Sequence, residues 1–216
     1  MSFSRIAFGA AAVLSLAFTA PASAQDWSGG YAGLSFSSVN TLSEGFATSA
    51  PTTRWSGDDD TGVASIFAGY NWQLSDRDVV GVELDVALSE FGATGGVIGN
   101  PIQTLTETYS NAAALRLRYG YAVGNALPYL AVGLTSADAE LVSGGSLTVS
   151  SRTRNLVGTN VALGLDYLVG NRHQLRLELR HTQFDDESYP GNFAVVPVTS
   201  DQNSYSEVRL GYAFRF

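Results

Sequence analysis

The side chains with the most chemistry in this sequence recur at every second position, set between oily ones. Glu83 and Asp85 alternate with Val82, Leu84 and Val86, and Arg116 and Arg118 with Leu115, Leu117 and Tyr119. Asp166 stands between Leu165 and Tyr167, and Arg176, Glu178 and Arg180 alternate with Leu175, Leu177 and Leu179. Glu207, Arg209 and Arg215 share the last stretch with Val208, Leu210, Tyr212, Phe214 and Phe216. Strand side chains point alternately to opposite faces. The spacing therefore gathers five carboxylates and six guanidinium groups on one face and apolar groups on the other. The planar arginine fork binds a carboxylate at two points, so a nearly balanced set can pair with itself. Two uses follow: a gated conduction path, or a polar plug of ion pairs. A barrel of about eight strands has an interior only wide enough for side chains, which favours the plug.

Other reactive groups are sparse. His173 and His181 are the only histidines. His181, with Asp185, Asp186 and Ser188 close in sequence, could form a lipid-deacylating Ser-His-carboxylate site. No nucleophile motif accompanies it, so an interfacial histidine is expected and no catalytic residue is assigned. Asp58-Asp59-Asp60 and Asp185-Asp186-Glu187 could hold Ca²⁺ or Mg²⁺, but neither has calcium-loop spacing, and solvated surface charge is expected. Gly95-Gly96 and Gly144-Gly145 lack the context of a phosphate cradle. With no cysteine in the chain, disulfides and thiolate metal sites are excluded. No metal or cofactor is expected. All twelve basic residues are arginine and the net charge is −8, which argues against nucleic acid as a partner.

The elements that must position these groups are strands. The period-two alternation predicts eight of them, beginning with Trp27–Val39, Thr61–Leu74, Asp78–Phe91 and Leu105–Val123. Leu127–Ala139, Arg152–Val169, His173–Asp185 and the closing strand to Phe216 complete the set. Ala32, Leu34 and Phe36, Ile66 to Trp72, Val80 to Leu88, Leu130 to Leu134 and Val161 to Tyr167 are expected to face outward at alternate positions. Three connections are short: Ser75–Arg77, Gly124–Ala126 and Gly170–Arg172. Four are long and polar: Asn40–Asp60, Gly92–Thr104, Glu140–Ser151 and Asp186–Asn203. Short turns at one end and long loops at the other suit a barrel with periplasmic turns and extracellular loops. The long loops are expected to be displayed as mobile segments.

An apolar outer face implies lipid, and lipid cannot satisfy an open sheet edge. The eighth strand must therefore pair with the first. The expected fold class is all-β: a closed antiparallel eight-stranded transmembrane up-and-down β-barrel. Trp27, Tyr70, Trp72, Tyr119, Tyr121, Tyr167 and Phe216 are expected in aromatic girdles at the membrane interfaces. Before the barrel, Arg5, the apolar run Ile6–Phe18, Pro21 and Ala22-Ser23-Ala24 read as an export signal cleaved after Ala24. The expected division is residues 1–24 as signal peptide and 25–216 as barrel.

Several stretches resemble small eight-stranded outer-membrane barrels, the opacity-porin group and the transmembrane domain of outer-membrane protein A. They are Trp27–Gly33, Ala68–Trp72, Gly81–Asp85, Leu115–Tyr121, Leu127–Tyr129 and Arg209–Phe216, in that order. The resemblance covers nearly all of residues 25–216. It implies a surface protein of the Gram-negative outer membrane that serves envelope integrity, surface or host contact, or limited permeability. It carries over no catalytic residue. Leu210, Tyr212, Phe214 and Phe216 resemble the C-terminal signal by which the barrel-assembly machinery recognises its clients. Expected partners are outer-membrane lipid and lipopolysaccharide, that machinery, and host or surface ligands at the loops. The expected function is a structural or surface-interaction barrel. A narrow pore for small solutes is the alternative, and a lipid-modifying enzyme is a third.

Overall fold

Alternation of oily and polar residues builds β-strands throughout the computed structural model, which describes residues 25–47, 50–97, 100–144, 150–185, 187–189 and 198–216. The strands are β1 Gly29–Ala47, β2 Ala50–Gln73, β3 Asp78–Ala87, β4 Phe91–Val97 and β5 Asn100–Tyr121. They continue as β6 Ala126–Gly144, β7 Ser150–Val169, β8 His173–Phe184, β9 Glu187–Tyr189 and β10 Val198–Arg215. β3 and β4 both pair with β2 and β5, so they are two halves of one barrel strand. β9 pairs with β10 just beyond β8 and prolongs that strand. The barrel therefore has eight antiparallel strands. β1 pairs with β2 on one side and with β10 on the other, with Phe36 opposite Leu210, and this closes the cylinder. The export segment expected over residues 1–24, with its cleavage point at Ala24, lies outside the described residues.

The outward faces carry an apolar belt of limited height. On β7 it runs through Tyr167, Leu165, Leu163 and Val161 and gives way to Thr159; on β8, Leu175, Leu177 and Leu179 give way to His181. On β5, Tyr121 to Ala113 give way to Ser110, Thr108 and Thr106. A strand needs about 9–11 tilted residues to cross hydrocarbon, so the belt accounts for only the short-turn half of these strands.

Above the belt the structure differs from the expected loops. Most of Asn40–Asp60 is strand, and β4 and β5 fill much of Gly92–Thr104, including Gly95-Gly96. Membrane-type alternation stops where lipid stops, but backbone pairing does not. Thr41 and Ser43 continue the inward face of β1, with Asn40 and Glu44 outside, and both neighbouring strands supply hydrogen bonds. A polar outer face suits strands that emerge into water. β3 also ends earlier than expected, at Ala87, and Phe91 restarts the strand facing inward.

At the short-turn end, Gly124 and Gly170 take φ of 57° and 67°, the left-handed conformation that glycine adopts without strain. Tyr70, Trp72, Tyr119, Tyr121, Tyr167 and Phe216 stand exposed on the outer wall near this end. Trp27 does not join them. It is fully buried before β1 and packs inside the barrel with Val79, Ala122, Leu127 and Leu168. The residue precedes the first ladder pair, so the chain is free to fold inward and fill the opening.

Candidate functional site: the charged barrel interior

Register brings the first charged pairs together directly. Glu83 lies opposite Arg116 on the neighbouring strand, Arg180 opposite Glu207, and Glu178 opposite Arg209. Ten of the eleven expected interior charges form one connected network. Arg116 bonds Glu83 with one nitrogen and Glu178 Oε1 at 2.8 Å with another. Arg118 reaches Glu83 Oε2 at 3.0 Å and also bonds Asp166. Arg176 binds Glu83 Oε2 and Asp166 Oδ1, each at 2.7 Å. Arg180 joins Asp85, Glu178 and Glu207 at 3.2, 3.0 and 3.1 Å. Arg209 completes the set with Asp85 and with Glu207 at 3.2 Å. Five guanidinium groups meet five carboxylates, and each of the ten residues is at most 5% exposed. Burial strengthens each attraction but is tolerable only because each of the five guanidinium groups meets at least two carboxylates.

Arg215 is the member that stays apart. Its Nη2 donates to the carbonyl oxygens of Asp26 and Ser28 at 3.0 and 3.1 Å, and its guanidinium lies over the Trp27 ring. It ties down the residues that fill the short-turn opening. Its place at the last inward position of β10 leaves it below the carboxylates.

Two tyrosines, from the Trp27–Gly33 and Leu127–Tyr129 stretches, complete the network. Tyr31 donates to Glu83 at 2.7 Å and Tyr129 to Glu178 at 2.6 Å. Arg118 stacks on Tyr129 at 3.9 Å, and Arg176 on Phe67 at 4.4 Å. Space for the rings comes from glycines: a Cβ at Gly69 would overlap Tyr31, and one at Gly164 would overlap Tyr129. The small residue at an inward position of one strand and the tyrosine on its neighbour form a matched pair. Sequence spacing shows the alternation but not this partnership.

A second layer lies above the charges. Phe91, Tyr109, Phe184 and Tyr205 pack with ring centroids 4.9–5.9 Å apart, joined by Val39, Val63, Ala137, Ala139 and Leu156. Higher again, beyond the belt, Glu107 is buried against Ser43, and Asn203 Nδ2 lies 3.4 Å from its other oxygen. Burial pushes the Glu107 carboxyl up to about 7, against the opposing pull of the Ser43 hydroxyl. The lumen is thus layered: an apolar floor, the ion-pair network, an aromatic layer and a buried carboxyl.

His181 is exposed on the outer wall, with Nδ1 3.0 Å from Ser206 Oγ rather than beside Asp185. Among the described residues no carboxylate hydrogen-bonds to it. His173 Nδ1 meets Tyr212 Oη at 2.6 Å near the short-turn end. Asp58 and Asp60 accept from Asn40 Nδ2 at 2.7 and 3.2 Å, and Asp59 accepts from the Thr94 amide at 2.8 Å. The adjacent aspartates thus point in different directions, and the described residues contain no metal-ligating group of three. Asp186 lies outside the described residues.

Residues 9–216 match the family model of the outer membrane protein beta-barrel domain. The 25 kDa outer-membrane immunogenic protein of Brucella canis is 28% identical over 190 residues, which cover 88% of this chain and 79% of that protein. Its counterpart from Brucella melitensis is 29% identical over 188 residues, covering 87% and 79%. The outer membrane protein OprG of Pseudomonas aeruginosa superposes with a TM-score of 0.55 at 17% identity, over 88% of this chain and 97% of that one. That last likeness is one of fold.

Proposed function

The chain belongs to the outer membrane protein beta-barrel domain family and resides in the Gram-negative outer membrane, and from this we propose that it is a non-conducting barrel that presents its long hairpins at the cell surface. The observation that carries this reading is the layered lumen. Glu83, Asp166 and Glu178 are at most 1% exposed within the ion-pair network, and the aromatic layer covers them. An ion crossing such a path would have to displace paired charges in an interior that side chains fill. Interior charge then serves to hold the cylinder rigid, and the strands above the belt serve to carry contacts outward. The name of the Brucella relatives, immunogenic outer-membrane protein, agrees with a surface that other molecules meet.

The partners follow from the same reading. Lipid and lipopolysaccharide surround the belt, the barrel-assembly machinery takes up the strand bearing Leu210, Tyr212, Phe214 and Phe216, and surface ligands meet the hairpins. Cleavage after Ala24 releases the barrel domain. Planar-bilayer recordings of the refolded protein test the central claim. The expected trace shows no unitary steps, and R116A/R118A leaves it closed because the aromatic layer remains. Steps in the unaltered protein, or their appearance in R116A/R118A, would favour a narrow pore.

A further inference from the structure

We propose that the barrel wall has a side entrance between β2 and the β3–β4 strand, through which a small uncharged hydrogen-bonding solute reaches a cavity above the ion-pair network. The ladder between these strands runs up to Ser65 opposite Ala87 and resumes at Gly57 opposite Gly95. The same number of residues lies on each side, so the register is kept while the ladder pairing lapses. Over this interval, among the described residues, three ties remain. Leu88 N donates to Ala64 O at 2.8 Å, Ala64 N to Ser89 Oγ at 3.3 Å and Thr94 N to Asp59 Oδ2 at 2.8 Å. On the far sides β1 is paired to β2 throughout, and β5 pairs β3 up to Val86 and β4 from Phe91, a shorter lapse than that of the β2 seam. The split sits at the top of the belt: Leu88 is exposed below it, and Asp60 and Glu90 above it.

A cavity lies directly behind. Val63 and Ser65 from one edge of the split and Ala87 and Phe91 from the other line it, with Ala112–Ala114 of the adjoining strand β5. Its volume of about 20 Å³ holds roughly one water. Two buried polar atoms on its wall, Ser65 Oγ and Arg209 Nε, have no hydrogen-bond partner in the protein. Unmet buried polar groups cost stability unless a guest satisfies them. Phe91 and Tyr205 of the aromatic layer also border the cavity on the side of the barrel mouth, and the lapsed seam offers the shorter way in. The charged groups on the wall are Arg180 and Arg209 against Asp85 and Glu207, already paired with one another. That balance favours a neutral guest, water or another small hydroxyl-bearing solute, over an ion.

The natural lack of cysteine makes a thiol probe unambiguous. S65C is compared with S37C; Ser37 is equally buried at the same height, opposite Val63, but does not line the cavity. Both refolded proteins, in liposomes, are treated with small neutral methyl methanethiosulfonate and with a charged sulfonate analogue. The expected result is modification of S65C by the neutral reagent about tenfold faster than of S37C, with no such advantage for the charged reagent, because local openings differ in free energy from place to place. A114C probes the β5 side of the same cavity and is expected to behave like S65C; it replaces S65C if that variant does not fold. Equal rates at the cavity and control positions would overturn the side entrance, and an equal advantage for the charged reagent would overturn the preference for a neutral guest.

Discussion

Arg116 joins Glu83 to Glu178, so truncating it strands two buried carboxylates at once. R116M is expected to lower the unfolding free energy by about 3–5 kcal/mol, the usual cost of breaking a buried pair from one side. Denaturant titration in detergent micelles checks it; a loss below ~1 kcal/mol, the level of surface pairs, would mean that water reaches the network. Glu107 makes the opposite kind of prediction. Its carboxyl is raised from an ordinary 4.5 to about 7, so between these values the folded protein holds a proton that the unfolded chain has released. The contribution of Glu107 to stability is therefore full below about pH 4.5, falls as pH rises through 7, and is level above that. E107Q should remove this slope while leaving the rest of the pH profile in place, which denaturation midpoints measured from pH 4 to 8 would reveal. The alternation of charged residues was legible at this scale, whereas Glu107 was not: it lies among threonines in Thr104–Thr108 and gains its character only from burial.

At the scale of strands, height along the barrel decides what an outward residue costs. Leu163 and Val157 lie on the same face of β7 with similar exposure, 56% and 48%, but Leu163 is inside the belt and Val157 lies beyond Thr159. L163R should destabilise the barrel in lipid by about 2–4 kcal/mol and V157R by about 0–1 kcal/mol. Reversible folding into liposomes tests the pair, and equal costs would move the membrane boundary. Neighbouring strands also depend on matched volumes. G69A forces its new Cβ into the Tyr31 ring, which holds Glu83 and stacks near Arg118. In a double-mutant cycle G69A and Y31A should couple, the double variant being less unstable than the sum of the single ones. Strand existence and facing were readable from period-two spacing; the strand ends above the belt were not, because serine, threonine and glycine serve as well in a loop as in a ladder exposed to water.

For the whole molecule, closure is what turns eight marginal strands into a barrel. Pairing of β1 with β10 removes both sheet edges, and the same closure brings Glu83 to Arg176 and Asp85 to Arg209. Closed recordings in planar bilayers are the expected behaviour of this cylinder. By itself the sequence determined the strand number, the faces, the oily belt and the interior charges that alternate with it, because all of these follow from local alternation and from the requirement that lipid leave no backbone group unpaired. Only the tertiary structure decided which arginine holds which carboxylate, that Arg215 and Trp27 close the short-turn opening, that an aromatic layer lies over the charges, and that the ladder between β2 and the β3–β4 strand lapses partway up the wall. Those outcomes depend on residues far apart in the chain meeting across a narrow lumen, where side-chain volume and burial, rather than spacing, set the contacts.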